Sequence, residues 1–171
     1  MELLRHFKTI EDYYAHLCLP APKYLLFDVG KYQNTMPLNI KETEPFKTDF
    51  YKISFKTGGT GILNLDKHQY EYDQGVMFFI SPQQTQSWTN VSNWVGSYIL
   101  FHPDLLHKKG FKEIPLDDFR FFSYTTNECL FLTPPEQQKI EFLFILMMIW
   151  INLNLLWMLS HIGFFFLGDI I

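Results

Sequence analysis

Residues 45–88 read PFKTDFYKISFKTGGTGILNLDKHQYEYDQGVMFFISPQQTQSW, and they carry the clearest evidence of the fold class. Apolar and polar side chains alternate over residues 51–56, with the period of two that is typical of a β-strand. The glycines at 58–61 permit a tight reversal before a second strand at 62–65, and two more such segments follow before Trp88. Short strands separated by turns at near-regular spacing predict an antiparallel sandwich or barrel.

Two parts of this stretch resemble the cupin sensor half of AraC-type transcription regulators. The first is PFKTDFYKI at residues 45–53, together with the glycine turn that follows it. The second and more specific part is GVMFFISPQQTQSW at residues 75–88, where a strand ends in Ser-Pro and an aromatic residue follows at Trp88. The resemblance spans about residues 20–140. It implies a mainly β fold, namely a cupin-like antiparallel β-barrel (double-stranded β-helix) with a long C-terminal helix.

The composition narrows the class of protein further. A chain of 171 residues suits one domain with a substantial core. Its net charge of −4 lacks the basic footprint of a self-sufficient nucleic-acid binder, so we expect no direct binding to nucleic acid. Cys18 and Cys129 lie far apart, and no basic segment leads into an apolar one at the N-terminus, which predicts a cytoplasmic rather than a secreted protein.

The order of elements predicts three regions. Residues 1–23 form an N-terminal helical segment, in which Thr9 is the candidate N-cap of a short helix. Residues 24–132 form the sensor barrel, and residues 133–171 form an apolar C-terminal helix. A cap, a proline at the first helical position and an acid at the third indicate that this last helix begins at Pro134.

Two further strand predictions concern the ends of the barrel. Residues 24–27 indicate an edge strand that Asp28-Val29-Gly30 should stop. Residues 94–101 have few polar positions, so they predict a strand that is buried on both faces. We expect five barrel side chains to be largely buried, which are Phe79, Trp88, Val95, Ile99 and Phe101.

The C-terminal region departs from the family pattern. No Asp, Glu, Lys or Arg occurs in residues 142–167, a run that exceeds the roughly 20 residues needed to span a bilayer. In the family, charged amphipathic helices and a helix-turn-helix half take this place. The resemblance therefore implies a truncated regulator whose tail is a membrane segment or a frameshift product. Because packing on one barrel hides only one stripe of such a helix, a bilayer, a second subunit or aggregation must cover the rest.

The metal-binding motif of cupins is absent from the matching positions. Cupins that bind a metal supply a His-x-His pair, a carboxylate and a further histidine. The corresponding residues of this sequence are Phe46, Thr48, Lys52 and Gln86. We therefore expect no metal and no other cofactor.

Trp88 and Tyr98 are the candidate ligand-binding residues. The resemblance places them where regulators of this family have aromatic pocket residues, and flat rings pack well on sugar faces. Gln86 and Thr48 are the polar groups that could orient a ligand. The alternative interpretation is that the two aromatic residues only pack the core.

One strand receives two conflicting assignments. The family pattern directs positions 46, 48 and 52 into the barrel, whereas the alternation directs positions 51, 53 and 55 towards a core. A second packing layer, in which helices cover the outer face of the barrel, would satisfy both.

The leading hypothesis is a ligand-sensing and dimerisation domain of an AraC-type regulator that lacks its DNA-binding half. It binds a small-molecule effector, for which a sugar-like molecule is one option, forms a homodimer and does not catalyse. The first alternative is a small cupin enzyme that acts on a sugar-like substrate without a metal. The second is a tail-anchored sensor that contacts the membrane through residues 142–167. No spacing indicates a Ser/His/Asp or Cys/His site or a phosphate loop.

Overall fold

The computed structural model describes residues 4–35, 40–105, 120–122 and 129–153, and two five-stranded sheets dominate them. The strands are β1 (Arg5–Phe7), β2 (Phe27–Lys31), β3 (Phe46–Thr48), β4 (Tyr51–Gly58), β5 (Gly61–Leu65), β6 (His68–Tyr72), β7 (Val76–Ile80), β8 (Gln86–Thr89), β9 (Val95–Phe101) and β10 (Leu130–Phe131). The helices are α1 (Ile10–His16), α2 (Tyr32–Thr35), a 3₁₀ helix (Arg120–Phe122) and α3 (Pro134–Asn152).

The two sheets enclose one interior. The first sheet has the order β1-β3-β8-β5-β6 and the second has the order β10-β7-β4-β9-β2. β1 pairs with β3 in parallel, and the other pairs among the described strands are antiparallel. Rings from both sheets meet in the space between them, which we call the barrel interior; Phe78 and Trp88, for example, lie 5.7 Å apart. The predicted mainly β, cupin-like fold with a long C-terminal helix is confirmed.

β4 lies at the centre of the second sheet and is buried on both faces. Its even-numbered residues from 52 to 56 point into the barrel interior, where they meet aromatic rings. Its odd-numbered residues from 51 to 55 belong to a separate hydrophobic cluster between this sheet and α3. Both assignments of this region are therefore correct, because a helix covers the outer face of the sheet.

α3 provides that second layer. The helix begins at Pro134 as predicted, and Glu136 accepts a hydrogen bond of 2.7 Å from the backbone N–H of Thr133. Ile140, Phe144, Met147 and Ile151 form its buried stripe. The opposite face exposes four apolar side chains, which are Phe142, Ile145, Ile149 and Leu153. Packing thus hides one stripe of the described helix and leaves another in contact with solvent.

The strand predicted at residues 24–27 is displaced, and that prediction was wrong. β2 begins at Phe27 and continues through Asp28-Val29-Gly30, pairing with β9 along its length. Asp28 is tolerated in the strand because the Tyr14 hydroxyl donates a hydrogen bond to its carboxylate. Gly30 is required because a Cβ there would lie 2.5 Å from the Tyr98 hydroxyl oxygen. Asp28 and Gly30 are residue types that usually interrupt strands. Here the contact with Tyr14 accommodates Asp28, and the missing side chain of Gly30 leaves room for Tyr98.

The predicted cap of α1 is confirmed, and the predicted burial of five barrel side chains is confirmed in part. α1 begins after the predicted cap, and the Thr9 hydroxyl accepts a hydrogen bond of 3.0 Å from the backbone N–H of Asp12. Phe79, Trp88 and Ile99 are buried as expected, whereas Val95 and Phe101 are half-buried. The sequence did not predict β1, whose three residues extend the first sheet beside β3.

The membrane alternative concerns the uncharged run at residues 142–167. Among the residues that the structure describes, no helix is both long and apolar enough to cross a bilayer. Residues 154–167 of that run lie outside the described ranges.

Candidate functional site

The barrel interior contains a lysine surrounded by aromatic rings. The Lys56 Nζ atom lies 3.6 Å from the ring centroid of Tyr32, 4.2 Å from that of Trp94 and 4.6 Å from that of Trp88. The Tyr72 ring centroid lies 5.7 Å away. We call these four rings the aromatic cage. They come from α2 (Tyr32), β6 (Tyr72), β8 (Trp88) and the residue that precedes β9 (Trp94), so only the complete fold assembles the cage.

A second lysine enters the interior from the same strand. The Lys52 Nζ atom lies 5.6 Å from the Trp88 ring centroid and 5.8 Å from those of Tyr13 and Tyr32. Lys52 is 3% exposed and Lys56 is fully buried. Among the described residues neither lysine forms an ion pair. Two amines therefore share one largely apolar compartment to which no described residue supplies a counter-charge.

Burial changes the protonation of both amines. It lowers the pKa of Lys52 to about 8, because the charged form loses its hydration. Burial also lowers the pKa of Lys56 well below its ordinary value, and the neighbouring Lys52 charge lowers it further. The cage offsets part of this cost, because a cation over an aromatic face is attracted to the ring quadrupole.

Several buried polar atoms of the interior have no hydrogen-bond partner among the residues that the structure describes. They are the Lys56 Nζ, the Tyr72 hydroxyl oxygen, both side-chain atoms of the Gln86 amide, and the Trp88 Nε1. Buried polar groups are almost always paired in folded proteins, and an unpaired one costs about 1–3 kcal/mol. These groups gather in the barrel interior, which is the arrangement expected where a ligand completes the hydrogen bonds.

The four predicted site residues are all buried, but only two of them have polar side-chain groups with a hydrogen-bond partner among the described residues. Trp88 is a wall of the cage, and Gln86 lies two residues before it on the same face of β8. The Thr48 hydroxyl donates a hydrogen bond of 2.9 Å to the backbone oxygen of Phe50. The Tyr98 hydroxyl lies 2.8 Å from the Tyr14 hydroxyl, and its ring centroid lies 5.2 Å from that of Tyr32. Trp88 and Gln86 thus present unpartnered groups, whereas Thr48 and Tyr98 already have protein partners.

A small cavity of about 10 Å³ lies at the end of the interior that α1 covers. Its lining residues are Tyr13, Tyr14, Leu17, Leu19, Tyr32, Lys52, Tyr98 and Leu100. A single water molecule needs roughly 10–15 Å³, so the cavity is no larger than one water. Nearby, burial raises the pKa of Asp28, and the hydrogen bond from Tyr14 opposes this rise. Lys52 lines this cavity and also contacts the Trp88 ring, so it connects the cavity with the cage.

Sequence reasoning missed both lysines and most of the cage. It took Lys52 and Lys56 for the polar face of an amphipathic strand, because alternation does not say which face meets water. The family pattern did contain a usable signal, since it directed position 52 into the barrel. Tyr32 and Trp94 gave no such signal, because Tyr32 lies outside the predicted strands and Trp94 lies at the start of one.

Residues 41–110 match the family model described as the AraC-like ligand binding domain. This range includes β3 to β9, and therefore Lys52, Lys56, Gln86 and Trp88. No family model of a helix-turn-helix domain matches the chain. No curated protein matches it either. The fold and this match together show that residues 41–110 are similar to an AraC-like ligand binding domain.

Proposed function

We propose that the chain is the ligand-sensing domain of an AraC-type transcription regulator, and that a small-molecule effector binds at the aromatic cage. The observation that supports this site is the set of unpartnered polar groups on Lys56, Tyr72, Gln86 and Trp88. A core selected only for packing would not keep polar groups that each cost about 1–3 kcal/mol. Thr48 and Tyr98 join the proposal as wall residues, because both are buried in the interior.

In this proposal the domain binds its effector and does not catalyse. It acts in the cytoplasm and makes no direct contact with nucleic acid, in keeping with the net charge of −4. The effect on transcription then passes through protein contacts. Sensing therefore requires that the ligand-bound and ligand-free barrels differ at a surface that a partner protein binds.

Removing the Gln86 amide tests the site. We expect a screen of small metabolites by thermal shift to find compounds that raise the melting temperature of the full-length chain. The variant Gln86→Leu should bind such a compound at least about tenfold more weakly, which is the value of one to two hydrogen bonds. It should lose no stability of its own, because both polar atoms of this amide are unpartnered. Calorimetric titration of the compound measures the affinity.

The matched control is Gln74→Leu, at an exposed turn position between β6 and β7. This variant should bind the compound as the unmodified chain does. If Gln86→Leu binds as tightly as the control, the compound binds elsewhere and the proposed site is wrong.

We further propose that a second copy of the chain covers the exposed face of α3. Phe142, Ile145, Ile149 and Leu153 are 59%, 39%, 45% and 61% exposed, respectively. A spacing of three or four residues places Phe142, Ile145 and Ile149 on one line along α3, and Leu153 continues that line at the C-cap. We call these four residues the apolar seam. Two such seams related by a two-fold axis bury each other, so a homodimer removes the apolar face from water.

Charges on this seam should separate the two copies. We expect the unmodified chain to be a dimer and the double variant Ile145→Glu with Ile149→Glu to be a monomer, because two buried like charges would face their counterparts. Light scattering after size-exclusion chromatography measures the mass. Lys67→Glu changes the net charge by the same two units at an exposed turn position before β6, away from α3, and it should leave the dimer intact. A monomeric unmodified chain, or a dimeric double variant, would contradict this interface.

A further inference from the structure

We propose that the effector carries a carboxylate group, which Lys56 and Lys52 bind inside the aromatic cage. This inference rests on the proposed function, because it names the chemical class of the ligand for the same site.

The first argument concerns charge. Lys52 and Lys56 lie four residues apart on one face of β4, and the described residues supply no ion pair to either. The carboxylate of Asp28 is engaged by the Tyr14 hydroxyl. Buried lysines are normally paired, since an isolated buried charge is costly. The partner that this compartment lacks is an anion, and a carboxylate has the charge and size to meet both amines.

The second argument concerns the balance of donors and acceptors. The unpartnered groups include four that donate hydrogen bonds, on Lys56, Tyr72, Trp88 and the nitrogen of Gln86. The Gln86 oxygen is the one group of this set that only accepts. Each sugar hydroxyl brings a donor together with its acceptors, whereas a carboxylate only accepts and has about four acceptor positions. A donor-rich interior therefore suits a carboxylate better than the sugar-like effector that the family resemblance suggested.

The third argument concerns the rest of the ligand. The walls around the two amines are the faces and edges of Tyr, Trp and Leu side chains. Such walls favour a flat or apolar body attached to the carboxylate. The cavity beside Lys52 measures about 10 Å³, so a ring of the size of benzoate enters only if α1 or the Leu17 and Leu19 side chains move. The inferred class is thus a small organic acid with an apolar body.

Paired acids and amides test this inference. The probes are benzoate and phenylacetate, their neutral amides benzamide and phenylacetamide, and arabinose as a sugar, each titrated calorimetrically into the full-length chain. We expect at least one acid to bind about tenfold or more tightly than its own amide, as a charge-assisted hydrogen bond requires. Lys56→Met should weaken binding of that acid by about tenfold or more and leave binding of the amide within about twofold.

Two controls make the result specific. Lys67→Met removes an exposed lysine in the turn before β6 and should not change any affinity. Lys52→Met supplies a second interior variant, and the melting temperature of each variant shows that it is folded. Equal binding of acid and amide, binding of arabinose alone, or an acid whose affinity survives Lys56→Met would overturn the carboxylate class and leave the proposed sensor function intact. If none of the probes binds, this class of small acid is excluded, and the Gln86 test still decides the sensor function.

Discussion

The double variant Lys52→Met with Lys56→Met is expected to be more stable than the unmodified chain at about pH 7.5. Methionine retains most of the apolar length of each side chain and removes a buried amine that lacks a counter-charge. For Lys52, a pKa of about 8 in the folded chain against 10.5 corresponds to roughly 3 kcal/mol of unfolding free energy. Urea-induced unfolding measures the gain.

The dependence on pH identifies the cause of this gain. The folded-state pKa of each lysine lies below its unfolded value, so the unfolded chain binds more protons and stability rises with pH. For Lys52 the rise falls between about pH 8 and pH 10.5. Raised pKa values of Tyr13, Tyr32 and Tyr72 oppose it above about pH 10, where the unfolded chain releases tyrosine protons first. The measurement therefore belongs between about pH 7.5 and pH 9.5.

We expect the unmodified chain to gain stability across this window and the double methionine variant to show almost no change. Lys67→Met, at an exposed turn position, should keep the slope of the unmodified chain. A double variant that is less stable than the unmodified chain, or that keeps the full slope, would mean that the interior amines are not the source of the cost.

The second large effect is expected at the contact between α3 and the barrel. Phe144 is fully buried there and stacks on Phe55 with ring centroids 6.0 Å apart. Phe144→Asp should lower the unfolding free energy by about 4 kcal/mol or more, because it removes a core ring and buries a charge. That amount is a large part of the stability of an ordinary domain, so the helix should detach or the chain should unfold. Urea unfolding and limited proteolysis of α3 report the two outcomes.

Phe142→Asp is the matched control, two residues away on the same helix but 59% exposed. At a concentration where both proteins are monomers, we expect it to change the unfolding free energy by about 0.5 kcal/mol or less. It should also increase solubility, because it breaks the apolar seam. Equal destabilisation by the two substitutions would show that α3 does not pack on the barrel through Phe144.

The sequence allowed the fold class to be predicted because the signals that carry it are local. Alternation over residues 51–56, the glycine turn and the Ser-Pro strand end each lie within a few residues. β2 was misplaced because the groups that accommodate Asp28 and Gly30 are Tyr14 and Tyr98, far away in the chain. Local strand propensity gives no information about such distant partners.

The residues of the candidate site could likewise be predicted only where the signal is local in sequence. Trp88 and Gln86 followed from a resemblance that lies within one strand and turn, and the structure places both in the interior. The amine of Lys56 and the rings of Tyr32 and Trp94 come together only when α2, β4 and the start of β9 meet. A pattern of period two reports that the faces of a strand differ in polarity, but a buried polar face looks the same as a solvated one.

Residues 5–31 connect the two sheets. β1 is joined to the edge of the first sheet beside β3, and β2 is joined to the edge of the second sheet beside β9. α1 lies between these two strands in the chain, supplies Tyr13 and Tyr14 to the cavity wall, and binds Asp28 of β2 through Tyr14. A molecule that displaced α1 outwards would therefore act on both sheets through these contacts. We expect this connection to convert a small expansion of the interior into a displacement of one sheet relative to the other, and α3 packs on the outer face of the second sheet.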